Sequence, residues 1–181
     1  MAKDCTTEKT AQRQEWIENG LLELMLVKTF DEITVTDLCR HLQLSRRSFY
    51  RYFSDLEDVL DSAMNRLFQQ MVILNRVPEL EEIRENYVFW LEHRRVLDAL
   101  NRSGMIDRLY DYTIRYTDPE AIRRYLDPET LEAGLSREAA MFAIGGSMSL
   151  IISWYAGGFT KTPEEMAKIA YRMLYQPVLI R

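Results

Sequence analysis

Residues 30–60 read FDEITVTDLCRHLQLSRRSFYRYFSDLEDVL, and this stretch contains the start signals of two short helices. The hydroxyl of Thr34 or of Thr36 can cap the first helix by accepting a hydrogen bond from an unpaired backbone N–H. Leu38 and Leu42 lie four residues apart and therefore share one face of that helix. The pattern predicts a short helix that buries its leucine face.

A second short helix follows almost at once. Gln43 and Leu44 leave room only for a tight turn, and Ser45 can cap the helix that comes next. Phe49 and Phe53 are four residues apart and share the inner face of this helix. Two short helices joined by a tight turn are typical of a helix-turn-helix.

A basic patch lies within the same stretch. Residues 38–54 contain no acidic side chain, whereas the whole chain has a formal net charge of -5. An acidic protein is not expected to bind nucleic acid over its whole surface, so any DNA site must be local. Four arginines supply the positive charge here: Arg40, Arg46, Arg47 and Arg51.

If the two phenylalanines face inward, Arg47 and Arg51 face outward at helical spacing, with Ser48 and Tyr50 on the flanks. Arginine can donate both ends of its fork to guanine, whereas hydroxyls and helix N-termini bind phosphates. An arbitrary run of charge is more often a solvated helix face. The two-helix context instead favours a recognition helix that enters a major groove of DNA.

The composition favours a protein built of helices. Of 181 residues, 47% are hydrophobic and 28% are charged, with seven glycines and five prolines, which argues against disorder and against a turn-rich β-fold.

Two cysteines are too few for a disulfide framework and no leader pattern opens the chain, so we expect a cytoplasmic protein. His41 and His93 lack partners at metal-ligand spacing, and we expect no metal and no cofactor.

The other helices are predicted from apolar spacing and cap signals. The first spans about residues 8–27, and Ser54 with Glu57 forms a capping box for a helix that starts at about residue 55. Thr162 with Glu165 forms a second capping box. Later helices are expected at about 79–92, 94–102, 105–117, 136–155 and 163–175, with short pieces at the Asp-Pro pairs 118–119 and 127–128.

The span 139–159 contains no charged residue and is long enough to cross a bilayer. Its many glycines and serines, and the absence of a flanking basic cluster, argue against insertion. Small residues recur every four positions, at Gly145, Ser149, Ser153 and Gly157, and such a seam lets another helix approach closely. The span therefore predicts a helix buried in a dimer interface, where Ile144, Met148, Ile151 and Ile152 also pack. The interface residues we single out are Gly145, Ser149, Ile152 and Ser153.

Residues 30–60 resemble the DNA-binding domain of TetR-family transcription regulators. The resemblance rests on the Thr-Val pair of ITVTDL, the run FYRYF at 49–53, and Glu57 followed by Leu60, in the family's order. It covers about the first third of the chain. The resemblance implies an all-α, TetR-like fold, with a three-helix DNA-binding head (residues 1–54) and a helical body of about six helices for dimerisation and effector binding (residues 55–181).

Similarity to the family also implies roles for individual residues. Three side chains would contact phosphates: Thr36, Tyr50 and Tyr52. Four others would read or approach bases: Arg46, Arg47, Ser48 and Arg51. Together with Ser45 at the start of the recognition helix, these residues make up the predicted DNA site.

The sequence departs from the family pattern at two positions. Many members have glycine where this chain has Gln43, so the turn lacks glycine's freedom at positive φ. Members commonly have a phosphate-binding lysine where this chain has Leu56. We expect either that one backbone contact is missing at this position or that Leu56 packs against the first helix.

The middle of the chain is rich in aromatic side chains, which at helical spacing are more often ordinary core than pocket lining. Tyrosine and tryptophan also carry polar tips that a plain core does not need, so some of these residues are candidates for an effector pocket. The candidates are Trp90, Tyr110 and Phe142.

These observations predict a homodimeric transcription regulator, a repressor on a palindromic operator that is released by a small apolar or aromatic effector. The alternative is an interaction protein or coactivator that keeps the fold without binding an operator of its own. Ser45 and Ser48 lie near His41 in sequence, but no oriented base or oxyanion site accompanies them, so we do not expect an enzyme.

Overall fold

The computed structural model describes residues 8–71, 79–116, 134 and 136–175. These residues form α-helices and a 3-10 turn at Phe30–Glu32, and the described ranges contain no strand. The expected all-α class is confirmed. The helices are α1 (Glu8–Met25), α2 (Val35–His41), α3 (Arg46–Phe49), α4 (Leu56–Gln70), α5 (Leu80–Glu92), α6 (Arg94–Arg102), α7 (Arg108–Tyr116), α8 (Ser136–Ala156) and α9 (Pro163–Tyr175).

Side-chain caps set the start of α2 and α3. Thr34, not Thr36, caps α2: the Asp37 N–H donates to Thr34 Oγ1 at 3.1 Å, and the Thr34 N–H donates to the Asp37 carboxylate at 3.1 Å. This hydrogen bonding, led by the Thr34 hydroxyl, lowers the pKa of Asp37. Ser45 caps α3 as expected, because its Oγ accepts from the Ser48 N–H at 3.1 Å.

The expected Ser54–Glu57 capping box is wrong, because other residues cap α4. The Asp58 N–H donates to Asp55 Oδ1 at 2.8 Å, and the Ser54 N–H donates to the Asp58 carboxylate at 2.9 Å. Asp55 directly precedes the first helical residue, so its carboxylate reaches the third N–H of the helix, where N-cap side chains bind.

Other boundaries follow the sequence closely. α1 ends at Met25, two residues before the predicted end, and α7 begins at Arg108 because a turn at Gly104 (φ 65) separates it from α6. The capping box before α9 is confirmed, since the Thr162 N–H donates to the Glu165 carboxylate at 2.7 Å and the Glu165 N–H to Thr162 Oγ1 at 3.3 Å. The short pieces predicted at 118–119 and 127–128 lie outside the described residues.

The described residues pack as two compact units. The first comprises the chain up to Leu67 together with Arg95–Ile106, and the second comprises Phe68–Arg94 together with the chain from Asp107 onward. The boundaries in packing therefore fall within α4, after the first residue of α6, and between α6 and α7. The boundary between the DNA-binding head and the body, expected at residues 54–55, stays a prediction.

The first unit has a continuous apolar core, and α1 and α2 approach closely within it. The side chains of Ile17, Leu21 and Leu38 are fully buried. A Cβ atom added at Gly20 would lie 2.6 Å from Leu42 Cδ2, so glycine is what permits this close approach.

A buried carboxylate joins α1 to α4 in the same unit. Glu18 is only 2% exposed, and its oxygens accept from Ser62 Oγ at 2.7 Å and from Arg66 Nε at 2.7 Å. A buried charge is tolerated when it is paired and hydrogen-bonded in this way. Glu18 thus fixes where α4 lies on α1.

Side chains at the end of α6 hold the segment before α2 by hydrogen bonds to its backbone. The Phe30 N–H donates to Ser103 Oγ at 3.0 Å, and Arg102 Nη2 donates to the Val27 carbonyl at 3.1 Å. Both contacts join residues more than seventy positions apart in sequence. The C-terminal end of α6 is therefore part of the same unit as the helix-turn-helix.

In the second unit, α5 packs on α9, and α7 packs on α8. Tyr87 and Trp90 of α5 are buried, and the Tyr87 ring meets the Trp154 ring of α8 edge to face at 5.4 Å. Burial raises the pKa of Tyr87 to about 12. Trp154 Nε1 donates to the Lys161 carbonyl at 2.9 Å, so its polar tip is satisfied within the unit.

Replacing Glu18 with alanine is expected to destabilise the protein by about 3 kcal/mol, because Arg66 and Ser62 then lose their buried partner. The matched control is Glu15→Ala, which removes an exposed carboxylate from the same helix and should change stability by less than about 0.5 kcal/mol. Urea unfolding of both variants measures the difference. Equal stabilities would show that Glu18 contributes no more than a surface carboxylate.

Replacing Gln43 with glycine is expected to stabilise the protein by about 0.5 to 1 kcal/mol, because left-handed backbone costs a residue with a Cβ more than it costs glycine. Gln43 has φ 50 in the turn between α2 and α3. Gln43→Ala keeps the Cβ and should give no such gain. Thermal and urea unfolding of both variants test this, and an equal effect of glycine and alanine would contradict it.

Candidate nucleic-acid interface

The turn between α2 and α3 is as tight as the sequence predicts. The Leu44 N–H donates to the Cys39 carbonyl at 2.8 Å, and the Gln43 N–H to the Arg40 carbonyl at 3.2 Å. These bonds close the end of α2 while Gln43 reverses the chain in the left-handed conformation. The two short helices are thereby connected by only a few residues.

α3 is shorter than expected, because regular helix ends at Phe49 and a turn continues the chain to Phe53. The Tyr52 N–H donates to the Phe49 carbonyl at 2.8 Å, and the Phe53 N–H donates to the same carbonyl at 3.1 Å. The rings of Phe49 and Phe53 are 0% and 2% exposed and lie 6.3 Å apart. The inward direction predicted for both rings is confirmed.

The predicted DNA-site residues all lie on α2, on α3 with its cap, or in the turn after α3, within the first unit. Six of the eight are exposed: Thr36, Ser45, Arg46, Arg47, Tyr50 and Arg51. Ser48 and Tyr52 are half-buried. With Phe49 and Phe53 turned inward, the arginines face away from the core, as the helical spacing requires.

Two of the arginines are paired with tyrosines, an arrangement that the sequence analysis missed. Arg46 Nη2 donates to the Tyr50 hydroxyl at 3.2 Å, and Arg51 Nη2 donates to the Tyr52 hydroxyl at 2.7 Å. The guanidinium carbons lie 5.8 Å and 4.8 Å from the centres of those same rings. The first pair has the i, i+4 spacing of helix neighbours and was open to prediction from sequence, whereas the second joins adjacent residues beyond the end of the helix.

The positive potential of this surface is partly offset on α2. Arg40 is 3.5 Å from Asp37, and Lys28 is 3.9 Å from the same carboxylate. His41, at the end of α2, lies 2.8 Å from Glu23 of α1. The strongest uncompensated charge therefore lies on α3 and the turn after it.

Leu56, where the family commonly has lysine, is the first residue of α4 and is half-buried. Its neighbours Asp55 and Glu57 are acidic and exposed.

The effector-pocket candidates lie in different environments of the second unit. Trp90 is fully buried in α5, and Tyr110 of α7 is half-buried, with its ring 3.6 Å from where a Cβ of Gly145 would lie. Phe142 of α8 is 82% exposed, which is at odds with the expectation that it lines a pocket within this chain. Charge-free surroundings in sequence do not distinguish an inner from an outer helix face.

Two buried polar atoms on α5 have no partner among the described residues: Trp90 Nε1 and Asn86 Oδ1. Asn86 also lines a pocket formed by the end of α4 and the outer part of α5, together with Gln70, Met71, Glu82, Glu85 and Phe89. No sequence pattern marked Asn86. In residues 8–71, 79–116 and 136–175, no three histidine, cysteine, aspartate or glutamate side chains form a group that could hold a metal ion.

The seam residues of α8 divide between two faces. Ser149 and Ser153 are exposed and Ile152 is half-buried, whereas Gly145 faces the ring of Tyr110 in the same chain. Met148 and Ile151, which were expected to pack in a dimer bundle, are 4% and 0% exposed and belong to the core of this chain. That expectation is wrong because these two side chains are already covered by their own unit.

No protein-family model and no curated protein matches the sequence. Solved structures match its fold. A structure described as a TetR-family transcriptional regulator from Syntrophomonas wolfei superposes with a TM-score of 0.67 at 14% identity, over 94% of this chain and 99% of that one. The fatty acid degradation regulator FadR from Bacillus halodurans gives 0.60 at 16% identity, over 98% and 100%.

A transcriptional regulator of the TetR/AcrR family from Thermobifida fusca gives a TM-score of 0.53 at 17% identity, over 92% of this chain and 98% of that one. At such low identities, likeness extends to the fold and the order of its elements. The chain has the fold of TetR-family transcriptional regulators.

Proposed function

We propose that this protein is a sequence-specific DNA-binding transcription regulator. The observation that carries the proposal is the exposed basic surface of α3 and the turn after it, with Arg46, Arg47 and Arg51 facing away from a buried phenylalanine pair. It occurs on a fold shared with transcriptional regulators. Arginine forks fit guanine edges and phosphates, and a helix of this size fits the major groove.

A homodimer is the form in which the protein would act. Less than a fifth of the Arg137–Ala156 window is buried within this chain, although it is apolar and long enough to cross a membrane. Met141 and Phe142 on α8, with Met173 and Leu174 on α9, are exposed. A second copy that covers these side chains accounts for an apolar face on a regulator of the cytoplasm.

A two-fold dimer would present two copies of α3 to successive major grooves, about 34 to 36 Å apart, so the operator would be palindromic. We propose that the protein is a repressor, since a regulator bound across a promoter needs no contact with another protein to act. A small apolar or aromatic effector would release the DNA. Support for an effector comes from the unsatisfied Trp90 Nε1 and Asn86 Oδ1, because buried polar atoms are normally paired.

Selection from a random pool of duplex DNA tests this function against its alternative. A regulator would enrich one palindromic sequence. An interaction protein or coactivator that only keeps the fold would bind DNA weakly, and modest salt would abolish that binding. We expect enrichment, and no metal or cofactor should be needed for it.

Arg47→Ala is expected to weaken operator binding by about 1 to 3 kcal/mol and to relax base choice at one position of each half-site, as for a lost base contact. Tyr50→Phe should lower affinity without changing sequence preference, because it removes a hydroxyl directed at phosphate. Both effects are measured on the selected operator and its single-base variants. If Arg47→Ala weakened all sequences equally, Arg47 would be a backbone contact instead.

Ser149→Phe is expected to shift the protein from dimer toward monomer, because a bulky ring on the exposed side of α8 would separate two closely packed helices. Asp111→Phe is the matched control, since it places the same ring on an exposed position of α7. Sedimentation at micromolar concentration measures both. A dimer unchanged by Ser149→Phe would place the interface elsewhere, and a stable wild-type monomer would contradict the dimer itself.

Leu56→Lys is expected to steepen the slope of log affinity against log salt by about 0.9 per subunit, because the new charge neutralises one more phosphate. If Leu56 instead packs against α1, the substitution would lower the melting temperature and leave the slope unchanged. Measuring both quantities on the same variant decides between the two environments.

A further inference from the structure

The three arginines of α3 and the following turn differ in how their guanidinium groups are held. Arg46 and Arg51 each donate to a tyrosine hydroxyl and lie over that tyrosine's ring. Arg47 is exposed and makes no hydrogen bond, ion pair or ring contact with any residue that the structure describes. The guanidinium groups of Arg46 and Arg51 are therefore held by neighbours, whereas that of Arg47 is not.

Each tyrosine side chain is in turn partly held by its surroundings. The ring of Tyr50 is 44% exposed but meets the fully buried ring of Phe49 edge to face at 5.2 Å, and Tyr52 is half-buried. Because two χ angles define a tyrosine, a packed ring leaves its hydroxyl little freedom. The arginines that donate to these hydroxyls are consequently positioned before any DNA binds.

A fixed Arg–Tyr pair suits a phosphate better than a base. The hydroxyl that accepts from arginine keeps its own proton, so each pair presents an O–H donor beside the remaining N–H donors of the guanidinium. Phosphate oxygens accept from many directions, whereas bidentate contact with guanine O6 and N7 requires an uncommitted fork in the plane of the base. Arg47 alone of the three has no N–H that donates to a tyrosine hydroxyl.

Resting on the function proposed above, we propose that Tyr50 and Tyr52 are positioning residues that hold Arg46 and Arg51 on the DNA backbone, leaving Arg47 to determine base specificity. This narrows the earlier set of base-reading candidates, which contained Arg46 and Arg51 as well. One phosphate contact from Arg46 and one from Arg51 would fix the orientation from which Arg47 reads its base.

The first experiment compares arginine variants on the operator that the wild type selects. Arg46→Ala and Arg51→Ala should each reduce the salt slope by about 0.9 per subunit and leave the selected sequence unchanged. Arg47→Ala should change the selected sequence at one position per half-site. Arg137→Ala, which removes an exposed charge from α8, is the control for net charge and should change neither. A changed sequence preference in Arg46→Ala or Arg51→Ala would overturn the proposal.

The second experiment is a double-mutant cycle between Arg51 and Tyr52. Tyr52→Phe keeps the ring and removes the hydroxyl, and we expect it to weaken operator binding about 3- to 10-fold, as for one lost ordered side chain. Because Arg51 acts through that hydroxyl, the double variant Arg51→Ala with Tyr52→Phe should lose less than the product of the single losses. The matched cycle of Arg47→Ala with Tyr52→Phe should be multiplicative. A multiplicative Arg51–Tyr52 cycle would overturn the positioning role.

A third measurement needs no DNA and separates this proposal from the proposed function. NMR relaxation of the arginine Nε–Hε groups in the free protein should show Arg46 and Arg51 restricted and Arg47 mobile, and Tyr52→Phe should mobilise Arg51 alone. Failure of the wild type to select any sequence would refute the regulator function. Equal mobility of the three arginines would refute the positioning of Arg46 and Arg51, whatever the DNA result.

Discussion

The burial of Phe49 and Phe53 is the constraint on which the rest of the candidate site depends. These two rings fill the core of the first unit beneath a helix of only four residues. A helix that short has little stability of its own, so tertiary packing holds it in place. Once the rings are inside, Arg46, Arg47 and Arg51 face outward, whereas Ser48 and Tyr52 stay half-buried.

The same core also joins the helices that support this small basic surface. Gly20 admits Leu42 at close range, Glu18 ties α1 to α4, and the end of α6 binds the backbone ahead of α2 through Ser103. None of these contacts involves Arg46, Arg47 or Arg51, so the exposed face stays available for recognition.

The second unit has two features that a closed monomer does not need. α8 keeps apolar side chains such as Phe142 outside, while Met148 and Ile151 on its other face are covered. Within the core, Trp90 Nε1 has no hydrogen-bond partner among the residues that the structure describes. An outer apolar face fits the surface of a partner, whereas an unpaired buried donor fits a bound molecule. Dimerisation and effector binding would therefore involve different parts of this unit.

The sequence by itself determined the helical class, most helix bounds, the helix-turn-helix and the outward direction of its arginines, because periodicity and caps are local. It did not determine which small or apolar residues of α8 face inward, since a charge-free helix has no polar side to orient it. Nor did it show that Arg51 donates to the Tyr52 hydroxyl, or that Asp55 caps α4. Those outcomes depend on how turns place neighbouring side chains in space, and only the tertiary structure decided them.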